Sequence, residues 1–220
     1  VVLLSGKRGE GKSTFMSQIA AEAVEQNFNT FIYSGELPNY HVKRWLDFQV
    51  AGGEHISEKP IDYDEVSYFL SDSVINIINN WYRDKLFIFD NTAIEDDEYS
   101  GLLKITTDAI CRYDIKLICI DNLMTAMDCD INSDLYRQQS QFVKNLAKMA
   151  KRYDGAVILI AHPKKSKDNF DNDSVSGSAD ITNAVDVVIN YERASQSEKE
   201  QFDSKATITK NRLTGRLISS

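Results

Sequence analysis

Val1-Val2-Leu3-Leu4-Ser5-Gly6-Lys7-Arg8-Gly9-Glu10-Gly11-Lys12-Ser13-Thr14 opens the chain, and its reading decides the fold. Apolar residues of strand composition run into Gly6 to Ser13, which fits the pattern GxxxxGK[ST]. Behind the loop, residues 13–26 carry Phe15, Ile19, Ala20 and Ala23 on one helical face. Strand, glycine-rich loop and helix in that order make a phosphate cradle. Glycines let the backbone wrap an anion so that several N–H groups point at it, and the helix N-terminus adds a favourable dipole. In such a cradle Lys12 reaches the β- and γ-phosphates, while the Ser13 hydroxyl ligates Mg²⁺. The motif thus predicts ATP with Mg²⁺, held by Gly6, Lys7, Arg8, Gly9, Glu10, Gly11, Lys12, Ser13 and Thr14.

Working outward, short apolar runs alternate with longer segments of helical period, the mark of a mainly parallel sheet flanked by helices. The fold class is α/β. Strands are predicted at residues 1–4, 30–33, 86–89, 117–120 and 157–160, each rich in β-branched or aromatic residues. The most regular helix spans residues 133–153, with Phe142, Leu146, Met149 and Ala150 in one stripe. After Val185 the pattern turns strand-like at residues 185–191, 205–210 and 216–219, which predicts antiparallel additions at the sheet edge. Residues 50–63 and 194–204 receive no element. The whole of 1–220 reads as a single domain.

Composition narrows the functional classes. With 42% hydrophobic residues, 10 Gly and 3 Pro in 220, the chain has the means to bury a core. Its longest apolar runs fall far short of the roughly 18 residues of a membrane span. Lys+Arg 25 against Asp+Glu 33 leaves a net charge of −8, which argues against a surface that coats nucleic acid as a whole. A local basic loop remains compatible with DNA. Cys111, Cys119 and Cys129 are odd in number and form no CxxC pair, which fits a reducing, cytoplasmic compartment. The chain starts in an apolar strand without methionine, as a piece of something longer would.

In an open parallel sheet ligands bind at the carboxyl ends of the strands, so the polar residue after each strand matters most. Glu36, Asp90, Asp121 and His162 occupy those places. Asp90 and Asp121 both fit the pattern of four apolar residues and an Asp that serves the Mg²⁺ shell. Asp121 is preferred, because its strand is the more uniformly aliphatic; Asp90 then caps the turn that follows it. Glu36 is the carboxylate free to orient an attacking water. His162 is suited to reporting on the γ-phosphate through a ring N–H, although a lone His at a strand end equally serves structure.

Two basic groups remain. Lys164, Lys165 and Lys167 sit together in a polar stretch directly after His162, either as a solvated loop or as contacts to a nucleic-acid backbone. Lys210 and Arg212, two apart on a predicted strand, share one face, as ordinary edge-strand residues also do. The acidic residues Asp168, Asp171 and Asp173 do not make a calcium loop, since Ser176 and Thr182 stand where its Gly and closing Glu belong.

Taken in order, Gly6 to Ser13, Ser34-Gly35-Glu36, Phe89-Asp90-Asn91, Ile118 to Leu123, Ala161-His162-Pro163 and Lys210 to Gly215 resemble the ATPase domain of DnaB-like replicative helicases. Twinkle and the phage primase-helicases are the most similar in character. The resemblance implies a RecA-like P-loop NTPase that assembles as a hexameric ring, binds ATP between neighbours and draws single-stranded DNA through its channel. By position it implies Glu36 as water activator, Asp121 as metal carboxylate, His162 as γ-phosphate sensor, and Arg212 with Lys210 as basic residues lent to the neighbour's site. Lys164, Lys165 and Lys167 become the DNA contacts. It further implies a primase or helicase loader as partner, a bacterial, phage or mobile-element context, and an N-terminal domain with a latching helix upstream of Val1. RecA/RadA/KaiC-like ATPases without unwinding, and nucleotide switches or loaders, share the early motifs.

Overall fold

A computed structural model describes residues 1–62, 65–91, 101–127, 135–162, 179–195, 198–199 and 201–217. The opening segment forms β1 (Val2–Ser5), the phosphate-loop turn and α1 (Lys12–Glu25). Next come β2 (Thr30–Ser34), α2 (Asn39–Ala51), the hairpin strands β3 (Ser57–Asp62) and β4 (Glu65–Phe69), α3 (Asp72–Tyr82) and β5 (Leu86–Ile88). The second half supplies α4 (Leu102–Tyr113), β6 (Leu117–Asp121), α5 (Leu135–Tyr153), β7 (Ala156–Ala161), α6 (Ala179–Ala184), β8 (Val187–Arg193) and β9 (Ser204–Asn211).

Among the described residues the main sheet runs β5-β2-β6-β7-β1-β8-β9, parallel throughout except for β9, which is antiparallel to β8. Every residue of β2 and β6 is buried, because helices cover both faces. Strands buried on both faces read as unbroken apolar runs, which is why the sequence reveals them. One face packs Val143, Leu146, Met149 and Ala150 of α5 against Leu3, Ile118, Ile120 and Leu159. The other packs Met16, Ala20 and Val24 of α1, with Val42 and Leu46 of α2, against Leu4, Ile32, Cys119 and Ile160. Burial pushes the Cys119 thiol up to about 12, so it is an inert part of this layer. No described helix is long and apolar enough to cross a membrane.

The expected strands all form, with ends displaced by a residue or so. The expectation of a third tail strand at 216–219 fails for its described part: after β9 the chain turns at Asn211, whose side chain accepts from Leu213 N and Thr214 N, and Arg216 and Leu217 stand exposed without a strand neighbour. An edge segment with nothing to pair with and nothing to cover it gains too little from burial to extend the sheet. Part of the unassigned stretch 50–63 is β3, which pairs with β4 in a separate two-stranded hairpin.

Strand register then fixes the site. Ser34 pairs with Asp121, and Ser5 with Ala161. The carboxyl ends of β1, β2, β6 and β7 therefore form one rim, and the residues after them, Gly6, Gly35, Asn122 and His162, stand side by side. Lys210 and Arg212 lie at the opposite rim: Lys210 pairs with Val188 and Asn211 with Val187, the start of β8, which pairs with Val2, the start of β1.

Candidate active site

A cavity of about 580 Å³ opens at the rim beyond β1, β2, β6 and β7. Arg8, Gly9, Gly11, Lys12, Ser13 and Thr14 line it, together with Glu36, Asp121 and His162. Gly11 is the N-cap of α1 with φ 96°, left-handed backbone that glycine adopts without strain, and no side chain caps the helix. The first N–H groups of α1 are thus left for an anion. Gly6, Lys7 and Glu10 shape the loop. Lys7 O accepts from Lys12 Nζ at 2.5 Å, and the Glu10 carboxylate accepts from Arg193 N at 2.5 Å.

Lys12 is only 4% exposed. Burial holds its ammonium below the usual lysine range, against the pull of nearby Asp121, Glu10 and Glu36. A desolvated cation at the floor of a cavity is the complement of a polyphosphate, whose arrival relieves the cost of burying it. Across the cavity floor the Ser13 hydroxyl donates to Asp121 Oδ2 at 2.6 Å. Burial raises the Asp121 carboxyl above the ordinary aspartate value; the Ser13 hydrogen bond partly offsets this, and Glu36 adds to it. A hydroxyl and a carboxylate are hard oxygen ligands of the kind Mg²⁺ takes when it keeps several waters and phosphate oxygens in its shell. No cluster of three or more metal-ligating side chains occurs among the described residues, which fits such a sparsely liganded ion.

Glu36 follows β2 by two residues and its side chain is 48% exposed. Its Oε1 accepts from Asn122 Nδ2 and lies 3.6 Å from His162 Nε2. Asn122 Nδ2 is itself 3.5 Å from His162 Nε2. Three residues that follow three different strands thus meet at one point. Asp90 stands beyond the edge strand β5 and does not line the cavity, so Asp121 alone of the two aspartates faces Ser13.

The other expected residues stand apart. Lys210 Nζ donates to Thr182 O, and an Arg212 guanidinium N–H donates to Asn183 O at 2.9 Å. Both cations sit at the carbonyl end of α6, where the helix dipole favours positive charge. The length of β1, about 10 Å at 3.3 Å per residue, separates their rim from the phosphate loop. Lys164, Lys165 and Lys167 lie outside the described residues. Sequence reading missed Asn122, buried at 3% exposure, and the cavity-lining Leu37, Val42, Trp45 and Arg193. An Asp-Asn pair closing an aliphatic strand is a signal for the first; nothing local announces the others, which come from distant turns.

Residues 1–168 match the model of a family described as AAA domain. The chain belongs to the AAA domain family. It is accordingly a P-loop ATPase, and its fold is RecA-like. Among solved structures, a DnaB-like replicative helicase, described with its interactions with primase, matches 99% of this AAA domain and 53% of its own chain, with a TM-score of 0.76 and 19% identity. A second solved structure, an isolated ATPase domain, matches 99% of this chain and 78% of its own, with a TM-score of 0.73 and 17% identity. This AAA domain spans about half the length of the DnaB-like helicase it matches.

Proposed function

We propose that this AAA domain is the motor of a DnaB-like helicase: it hydrolyses Mg-ATP between the subunits of a hexameric ring, moves along single-stranded DNA and unwinds duplex. The observation that carries this is the meeting of Glu36, Asp121 and His162 around a phosphate loop, with Arg212 on the opposite rim. ATP is held by the α1 N-terminus and Lys12; Ser13 and Asp121 hold Mg²⁺, which supplies neutralising charge on the phosphates. Glu36 orients water and accepts its proton as water adds to the γ-phosphorus and the bond to the β-phosphate oxygen breaks, leaving ADP and phosphate. His162 reports the γ-phosphate to the segment that follows it, which carries the DNA contacts Lys164, Lys165 and Lys167. Charge building on the transferred phosphoryl group calls for a further cation. Arg212, with Lys210 as its companion, serves the site of the next copy, for which its distance from its own phosphate loop is the support. A primase or loader is the expected partner, and the cytoplasm the expected compartment.

Glu36→Gln and Lys12→Ala test the assignment. Glu36→Gln is expected to bind a fluorescent ATP analogue normally while losing turnover by a factor on the order of 10² or more. Lys12→Ala is expected to lose both. Turnover by Glu36→Gln at the wild-type rate would remove Glu36 from its role. ATP turnover that single-stranded DNA leaves unchanged would favour a switch over a motor.

A further inference from the structure

The side-chain amide of Asn122 has one way to sit. Its Oδ1 accepts from Met124 N at 2.9 Å and Thr125 N at 3.3 Å. Backbone N–H groups need an acceptor, so the oxygen is fixed on that side and the NH₂ faces away from it. There Nδ2 donates to Glu36 Oε1 and stands 3.5 Å from His162 Nε2. Asn122 is the buried, anchored partner, and Glu36 the exposed one. A glutamate side chain left to itself samples several rotamers, and fixing it has an entropic cost that a preformed donor reduces.

We infer that Asn122 is the positioning residue of the active site. It grips one oxygen of Glu36, leaves the other for the attacking water, and ties that carboxylate to His162. The inference rests on the reading of Glu36 as the group that activates water. It assigns Asn122 more than a turn: the Oδ1 side builds the turn at residues 122–125, and the Nδ2 side sets the geometry of catalysis. The geometry also selects the His162 tautomer. An Asn122 N–H directed at Nε2 makes that nitrogen an acceptor, which puts the proton on Nδ1, a buried atom without a hydrogen-bond partner among the described residues.

Two substitutions separate the two sides of the amide. Asn122→Asp keeps an acceptor for Met124 N and Thr125 N but turns a carboxylate oxygen toward Glu36. Asn122→Ser keeps a short acceptor able to form the same kind of turn and loses the reach to Glu36 without adding charge. Nucleotide affinity, kcat and KM are measured for both, with and without single-stranded DNA, beside Glu36→Gln and the double variant Asn122→Ser/Glu36→Gln. Both single variants are expected to bind a fluorescent ATP analogue within about twofold of wild type and to lose kcat by about 10- to 100-fold, Asn122→Asp the more. The double variant is expected to be no slower than Glu36→Gln, because the two residues act as a unit. Wild-type kcat in Asn122→Ser with an inactive Glu36→Gln would overturn the inference and leave Asn122 a turn former. Loss of kcat with an equal loss of affinity would overturn it too. Should Asn122→Asp fail to fold, Asn122→Ser decides. Full turnover by Glu36→Gln, or none by wild type, would instead bring down the underlying reading.

Discussion

Gly35 is the position where the fold and the chemistry are least separable, and Gly35→Ala perturbs both by one methyl group. The residue joins the end of β2 to Glu36, and its N–H donates to Asp121 O at 2.7 Å. A Cβ on Gly35 would fall under 3.0 Å from both Oγ1 and Cβ of Thr125. Thr125 is not a yielding side-chain tip. Its Oγ1 accepts from Asn122 N at 3.2 Å and is 3.1 Å from Asn122 O, and its own carbonyl accepts from Tyr33 Oη at 2.7 Å. To restore ordinary contact, Thr125 has to retreat by about 1 Å in an interior packed too tightly to absorb it. Overpacking of this kind costs about 1–3 kcal/mol. At this chain length each kcal/mol lowers Tm by roughly 2–4 °C, so a fall of about 2–12 °C is expected. Because Thr125 holds Asn122, and Asn122 holds Glu36, the displacement reaches the carboxylate, and misplacement by about 1 Å is enough for a loss on the order of 10² in kcat. Thermal unfolding by circular dichroism and a steady-state ATPase assay measure the two effects. A variant with wild-type Tm and wild-type kcat would refute the coupling that runs from Gly35 to Glu36.

Other expectations use the same site. Burial raises the Asp121 carboxyl, so the protonated form is the one the fold favours; its stabilising share is present at acid pH and is lost as pH rises through the raised value. Asp121→Asn should therefore melt close to wild type near about pH 4 and above it near about pH 7, while hydrolysis is lost; a Tm difference that does not grow with pH would count against the charge as its cause. Replacing Lys164 and Lys165 with alanine should weaken binding to single-stranded DNA and flatten its dependence on salt by about 0.7 in slope for each lysine replaced, read by fluorescence anisotropy across a salt series. Unchanged affinity at every salt concentration would take that segment out of the DNA path.

The first 25 residues were legible because strand, loop and helix are contiguous and each has a local signature. The remaining parallel strands were legible because a strand buried on both faces has nowhere to place a polar residue. The hairpin of β3 and β4 was not. Ser57, Glu58, Lys59 and Pro60 face water on a two-stranded ribbon, so no alternation of buried and exposed residues marks them. Glu36, Asp121 and His162 could each be picked out as the polar end of a strand. Their meeting through Asn122 could not, since it depends on Ser34 pairing with Asp121 rather than with a neighbour one residue away. The position of Arg212 is the same kind of fact. Only the antiparallel turn from β8 to β9 carries it to the far rim, where α6 carbonyls hold it in an isolated chain.

That far rim sets the decisive measurement. If Arg212 acts on another copy's nucleotide, a chain alone lacks a component of its own site, and the rate per chain must depend on how many chains have met. ATP turnover per chain, followed from nanomolar to micromolar protein with saturating single-stranded DNA, is predicted to rise steeply and then level off, and the Arg212→Ala chain is predicted to stay low throughout. A rate per chain that is already maximal at the lowest concentration, and unaffected by Arg212→Ala, would contradict catalysis shared between subunits.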